Sequence, residues 1–445
     1  MEQEEDIIIK SGKYEVAPLS VLALFLLVAL LAIPVWVLLF GNGVITEKWS
    51  WKGYFDGQWQ KQTARHAGAE SDAAELLLLV QNQIDFSLYR KIHVQQMVYG
   101  KHNQFFAYPE LQAYYGLSYP DNDSIQLQID KLSIICDSLD MKGVKLLLVL
   151  GPGKSQIMPE YMPFAVNNPV KSENGLYSFR KKLVRSGIPH IDCIPWLLKL
   201  RQQHIDEIYP PFGVHLTYYS DCMLIDSTVK RVSQMLDKKL RTPIFYGMKP
   251  HADARARDAE LLLKGNVTYA PAYSPWLTSP DSIGFTRNKD EKTARVLGIG
   301  DSYYTNFLYT GVTFSVFQGG EHWYYFNSIR PGRNPSTEVW ELDLKTELER
   351  NECILLVYNP SGLYSNLGKF VDEAYLMYTD PARYEREVKQ KNRIRAEEKL
   401  IRKDSKLMGE LISRSVKQHK KLETVLAEEA QNRLNAKAKT ALPEK

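Results

Sequence analysis

The segment RVLGIGDSYYTNF places Gly300, Asp301 and Ser302 directly after a short apolar run and before a stretch with helical spacing. A serine on such a turn exposes its hydroxyl, and backbone N–H groups at the start of the following helix face charge that develops on an attacked carbonyl oxygen. A nucleophilic serine also needs a base. The histidine in a comparably constrained position is His215, in YPPFGVHLTYYSDCMLIDSTVKRV, just ahead of a helix that Thr217 is placed to cap. Ser302 and His215 are therefore the candidate nucleophile and general base. The amides of Ser302 and Tyr303, beside Asp301, are the candidate oxyanion donors. Each half has a plainer reading when taken alone: GDS also makes an ordinary turn, and a lone histidine before a helix is usually structural.

Two further segments bear on chemistry. LVLGPGKSQ ends like a phosphate-binding loop, but G-x-x-x-x-G-K-[ST] requires glycine where this chain has Leu148, and Pro152 removes an N–H that a phosphate would need. Nucleotide binding is not expected. GGEHWYYFNSIRPGRN supplies Trp323, Tyr324 and Tyr325 as possible sugar platforms, and Arg330 to clamp an anionic sugar or assist the oxyanion. Its bland alternative is a β-strand with aromatic core residues and a solvated arginine. His322 is a weaker second base. The four cysteines, Cys136, Cys193, Cys222 and Cys353, are scattered and form no CxxC pair, so neither a metal site, a cofactor nor thioredoxin chemistry is expected.

The elements that must position these residues alternate between helix and strand. DSIQLQIDKLSIICDSLDMKG and SENGLYSFRKKLVRSG read as amphipathic helices. VKLLLVL (144–150), IPHIDCIP (188–195), ARVLGIG (294–300) and CILLVYN (353–359) are short apolar runs, as expected of strands buried on both faces. The fold class that follows is a three-layer α/β/α domain with a mostly parallel sheet. In such sheets ligands sit beyond the carboxyl ends of strands, where Ser302 lies.

The chain has 445 residues, 44% hydrophobic and 24% charged, with 56 basic against 52 acidic side chains. That balance excludes a largely disordered or polytopic membrane protein and leaves no nucleic-acid footprint. Residues 16–40 are uncharged over about 25 residues, enough to cross a hydrocarbon core of about 30 Å. No small-residue cleavage pattern follows them, so an uncleaved signal anchor is expected. The flanking charges are ambiguous about orientation, since Lys10 and Lys13 precede the span and Lys48, Lys52, Lys61 and Arg65 follow it. From about residue 381 aromatics vanish after Tyr384, and Ile394, Ile401 and Met408 recur at heptad spacing, which predicts one long charged helix or coiled coil. Such a helix docks on the domain, pairs with another chain, touches anionic lipid, or stands solvated.

Taken together, the blocks resemble the alginate O-acetyltransferase family of AlgJ and AlgX type, which carries a permuted SGNH hydrolase-like domain with its histidine block upstream of its GDS block. YGKHNQFFAYPELQAYYG, LLLVLGPGKSQIMPEYMP and GVHLTYYSD are similar to further segments of that family, so the resemblance spans roughly residues 99–378. It implies a cytoplasmic tail at 1–15, an anchor at 16–40, a stalk and docking helix at 41–98, the SGNH-like domain at 99–380 and the charged tail at 381–445. It also implies a single-pass inner-membrane protein with an extracytoplasmic domain, a polysaccharide acceptor, and a polytopic membrane-bound O-acyltransferase as the acyl donor. The lipid bilayer is engaged through the N-terminal helix. The family has an aspartate two residues before its histidine; here that position is Gly213. Asp221, Asp226 or Asp206 could orient the imidazole instead, or Ser302 and His215 could act as a dyad. Two functions stay open: a serine O-acyltransferase, with acetyl the group the resemblance implies, and a noncatalytic glycan-binding or scaffold subunit.

Overall fold

The computed structural model describes residues 28, 81, 84–89, 91, 96–163, 175–202, 208–210, 213–245, 283–333 and 337–440. The chain divides into two units, and every feature below belongs to the larger one, built from 94–262 and 269–445. The apolar stretch 16–40, apart from Val28, lies outside the described residues, as do the 1–15 tail and most of 41–98. Among the described residues no helix is long and apolar enough to cross a membrane.

In chain order the strands are β1 (Met97–Tyr99), β2 (Phe105–Ala107), β3 (Lys145–Leu150), β4 (His190–Asp192), β5 (Pro243–Phe245), β6 (Ile283–Phe285), β7 (Val296–Gly300), β8 (His322–Tyr324), β9 (Ser328–Arg330) and β10 (Cys353–Tyr358). Six of them form the central sheet in the order β4-β3-β10-β7-β8-β9. All neighbours run parallel except the β8–β9 hairpin. Consecutive side chains of a strand point to opposite faces, yet every residue of β10 and β7 is buried. Both faces of the sheet are therefore covered, which is why these strands read as continuous apolar runs rather than alternating ones.

The covering helices follow from local signals. Asn122–Asp140 starts at Asp121, whose carboxylate accepts the Asp123 and Ser124 amides, and buries Ile125, Ile129, Leu132, Ile135 and Leu139 at helical spacing. Gly175–Ser186 buries Leu176, Phe179 and Leu183 on the same principle. The run at 188–195 is only partly strand: β4 ends at Asp192, whose side chain accepts the Ile194 amide and starts the helix Cys193–Arg201. Tyr218–Met235 begins at Thr217, whose hydroxyl accepts from the Ser220 amide. This helix is the one that follows His215.

The expectation of one long C-terminal helix is corrected. Residues 390–440 form three helices, Gln390–Ile401, Ser405–Gln418 and Leu422–Thr440. Asp404 breaks the first junction by accepting the Leu407 amide as an N-cap, and His419 breaks the second by taking φ 51° at the helix end. The heptad residues pack within the tail: Ile401 and Leu411 bury against Val425, Leu426 and Ala430, flanked by Ile394 and Met408. Lys399 bonds both carboxylate oxygens of Glu341, at 2.9 and 3.1 Å, and Lys389 bonds Asp343 at 3.2 Å, so the tail also touches the domain.

Candidate active site

The two residues singled out by type and position meet. His215 Nε2 lies 2.7 Å from Ser302 Oγ, across 87 residues of sequence. Each partner arrives on a turn at one end of the sheet, Ser302 two residues past β7 and His215 three residues before its helix. This is the distance at which a neutral imidazole accepts a hydroxyl proton.

The serine turn is fixed from beneath. β7 approaches β10 so closely that a Cβ on Gly300 would collide with the Val357 carbonyl, and one on Gly298 would enter the Tyr304 ring. Asp301 then folds its carboxylate inward: Oδ1 accepts the Tyr303 amide at 2.9 Å and Oδ2 accepts the Asn359 amide at 2.7 Å. Burial pushes the Asp301 carboxyl up to about 6, against the lowering effect of the Asn359 and Tyr303 amides and of nearby His215. His322, on β8, sits 0% exposed below the turn with Nε2 3.2 Å from the Gly300 carbonyl.

These contacts reassign several residues. Asp301 and Tyr303 are not substrate contacts. The Tyr303 amide is occupied by the Asp301 carboxylate, and the buried Tyr303 phenol lies 2.7 Å from the Pro152 carbonyl, 3.3 Å from that of Val214 and 3.0 Å from the Tyr209 hydroxyl. The Tyr304 amide bonds the Asp301 carbonyl, so among the described residues the Ser302 amide is the one at this turn without an acceptor. It is the oxyanion donor the backbone leaves available. Trp323 is 0% exposed in the core and cannot serve as a sugar platform. β8 lies between β7 and β9, and both His322 and Trp323, on its opposite faces, are buried. Arg330 instead stacks its guanidinium 3.6 Å over the half-buried Tyr324 ring. His322 supports the turn and does not face the serine.

Tyr325 is the residue whose role sequence reasoning missed. It joins Phe326 at positive φ, 52° and 53°, in the β8–β9 turn, a conformation that usually selects Gly or Asn. Its amide bonds the Gly300 carbonyl at 2.7 Å. Burial, more than any neighbouring charge, pushes its phenol well above the ordinary range, and the Ser302 side chain acts the other way. No sequence signal marks it, because two bulky residues at positive φ are visible only in the folded backbone.

The candidate orienting acids separate. Asp226 pairs with Lys230 one turn along its helix, Nζ to Oδ2 at 2.6 Å, on the surface. Asp221, in the first turn of the same helix, is buried and accepts from Asn306 Nδ2 at 3.2 Å, while the same amide group contacts the Tyr303 carbonyl. Asp206 lies outside the described residues. Asp221 is thus linked through Asn306 to the serine turn, and Asp226 is not. Asp221→Asn is expected to lower kcat/KM for a small ester by about tenfold, and Asp226→Asn to change it less than about twofold, consistent with the small worth of exposed ion pairs. Steady-state hydrolysis by the two variants decides this; equal effects would remove Asp221 from the site.

No protein-family model matches the chain, and no curated protein matches it. Among solved structures it is similar to the O-acetyltransferase domain of Pseudomonas putida AlgJ, with a TM-score of 0.40 and 14% identity over 63% of this chain and 99% of that one. It is similar to Pseudomonas aeruginosa AlgX, at 0.42 and 13% over 63% and 66%. It is similar also to Bacillus cereus PatB1, at 0.37 and 12% over 60% and 96%.

Proposed function

We propose that this chain is a serine-dependent O-acyltransferase that moves an acyl group, acetyl by the resemblance of its motif blocks, onto a polysaccharide hydroxyl. The observation that supports it is the 2.7 Å contact between His215 Nε2 and Ser302 Oγ at a turn with an unoccupied amide. The reaction runs in two displacements. His215 Nε2 takes the Ser302 proton as Oγ attacks the donor carbonyl, and the Ser302 amide holds the oxyanion. Collapse breaks the bond to the leaving group, which takes the proton from the imidazolium, and leaves an acyl-serine. A sugar hydroxyl then gives its proton to His215 and attacks the ester, and Ser302 departs with that proton.

The setting completes the reading. The 16–40 stretch anchors the chain in the inner membrane with the domain on the extracytoplasmic side, and a polytopic membrane-bound O-acyltransferase presents the acyl group there. Intact-mass spectrometry after incubation with an aryl acetate tests the chemistry: a single acetyl adduct mapping to Ser302, discharged by added oligosaccharide, is expected. Absence of any adduct would favour a noncatalytic scaffold, the reading that Gly213 in place of an orienting aspartate supports. A reporter active only in the cytoplasm, fused after residue 45, is expected to be silent; activity would overturn the topology.

A further inference from the structure

The segment GPGKS after β3, which fails as a phosphate loop, has a use that the chemistry above does not assign. Lys154 is 0% exposed. An ammonium taken out of water must be compensated by good acceptors. Its Nζ donates to the Pro210 carbonyl at 2.7 Å and to the Gly213 carbonyl at 3.0 Å, and it lies 5.5 Å from the Phe106 ring centroid. Both carbonyls belong to the loop that ends at His215. The Lys154 backbone is held in turn, its amide bonding Glu110 Oε2 at 3.1 Å and the Ser155 hydroxyl bonding the Glu110 carbonyl at 3.1 Å.

The same segment grips the loop a second time. The Tyr209 hydroxyl donates to the Pro152 carbonyl at 2.7 Å, and the Tyr303 phenol bridges the Pro152 and Val214 carbonyls. Residues 209, 210, 213 and 214 are thus tied to the end of β3 within six residues of the histidine. Gly213 has no side chain with which to orient His215, so the backbone that carries the imidazole must be set by something else.

We infer that Lys154 is a positioning residue for His215: its buried ammonium, bonded to the Pro210 and Gly213 carbonyls, sets the loop that delivers the imidazole to Ser302. The inference rests on the acyl-transfer reading only for its kinetic consequence. A loop released by about 1 Å costs about a hundredfold in rate when a base must meet a nucleophile. Substrate does not touch Lys154, so KM is left nearly alone.

The test uses the full chain and three variants. Lys154→Met keeps the stem and removes the ammonium. Lys154→Gln keeps N–H donors on a shorter arm that can reach one carbonyl. Leu139→Ala is the stability control, since the Leu139 side chain is buried in the core near the end of the helix that leads into β3, at the end of that strand opposite the site. Aryl acetate hydrolysis is expected to fall about a hundredfold in kcat for Lys154→Met, with KM within about twofold, and by less for Lys154→Gln. Leu139→Ala should lower the melting temperature with kcat kept. Independently of activity, the ring-nitrogen NMR signals of His215 should shift when Ser302→Ala is added to the parent chain, and stay put when it is added to Lys154→Met. Unchanged kcat, or a His215 that still senses Ser302 without the ammonium, would overturn the inference. So would failure of both lysine variants to fold, which would make Lys154 a stability residue. If the parent chain neither hydrolyses ester nor acylates Ser302, while the NMR coupling depends on Lys154, the positioning stands and the enzymatic reading falls.

Discussion

Ser302→Ala is expected to reduce turnover of an aryl acetate by at least about a thousandfold while leaving the melting temperature within a few degrees of the parent chain. The first half follows from chemistry: without Oγ there is no atom to carry the acyl group, and what survives is rate enhancement from binding and the oxyanion site alone. The second half follows from placement. Ser302 is half-buried at the mouth of the turn, and its hydroxyl contacts His215 rather than the core. The turn itself is held by Asp301, Gly300 and Asn359, which the substitution leaves alone. His215→Ala should cost a similar factor, and the double variant should cost little more than either single one, because a nucleophile and its base act as one unit. Kinetics and thermal melts on the three variants check this. Additive losses, or a Ser302→Ala protein that still turns over, would show that the 2.7 Å contact is not a catalytic pair.

How much of this site was legible beforehand depended on the range of the interactions involved. The strands β3, β7 and β10 announce themselves because a strand buried on both faces is apolar at every position. Their order does not, since β10 enters the sheet between β3 and β7 from far along the chain, a choice made by register and packing rather than local pattern. Ser302 and His215 were readable because both stand at element boundaries, where chain direction forces the side chain into the open. Tyr303 and Asp301 were misassigned for the converse reason. Their roles turn on which way one amide and one carboxylate point, and that is decided by the Asn359 amide, 58 residues away. Trp323 follows the plainer alternative, a core aromatic on a strand, because β8 lies between β7 and β9 and is covered on both faces. In the tail, the heptad of Ile394, Ile401 and Met408 predicts one helix, and that spacing carries no sign that the chain folds back on itself after Asp404 caps a second one.

The local reading was weakest at His322, and there the structure makes its largest prediction of stability. The ring is wholly buried, with centroids 4.7 Å from Tyr304 and 5.4 Å from Tyr324, and it pairs in the β8–β9 register with Arg330. Burial first, and the Arg330 charge after it, hold the imidazole neutral down to about 3, although its bond to the Gly300 carbonyl opposes them. In the unfolded chain the same group titrates near 6.5. A histidine whose folded pKa is depressed contributes stability that is fully present above the unfolded value and is lost as pH falls toward the folded one, so the window runs from about 6.5 down to about 3. At about 1.4 kcal/mol per unit the loss across that window is on the order of 5 kcal/mol. His322→Phe removes the titration but also the bond to the Gly300 carbonyl, about 1 kcal/mol or somewhat more. The variant should therefore melt below the parent at pH 7 and above it in acid, with the two curves crossing at about pH 5.5 to 6, where protonation outweighs the lost bond. Asp301 does not disturb the comparison. Its raised folded value gives a contribution of opposite sign, growing as pH falls through about 6, but it is common to both chains. Melting temperatures of the pair between pH 7 and pH 4 measure the crossing. Curves that run parallel would mean that the ring can charge where it sits, and that Gly300 and the serine turn above it rest on something other than a neutral imidazole.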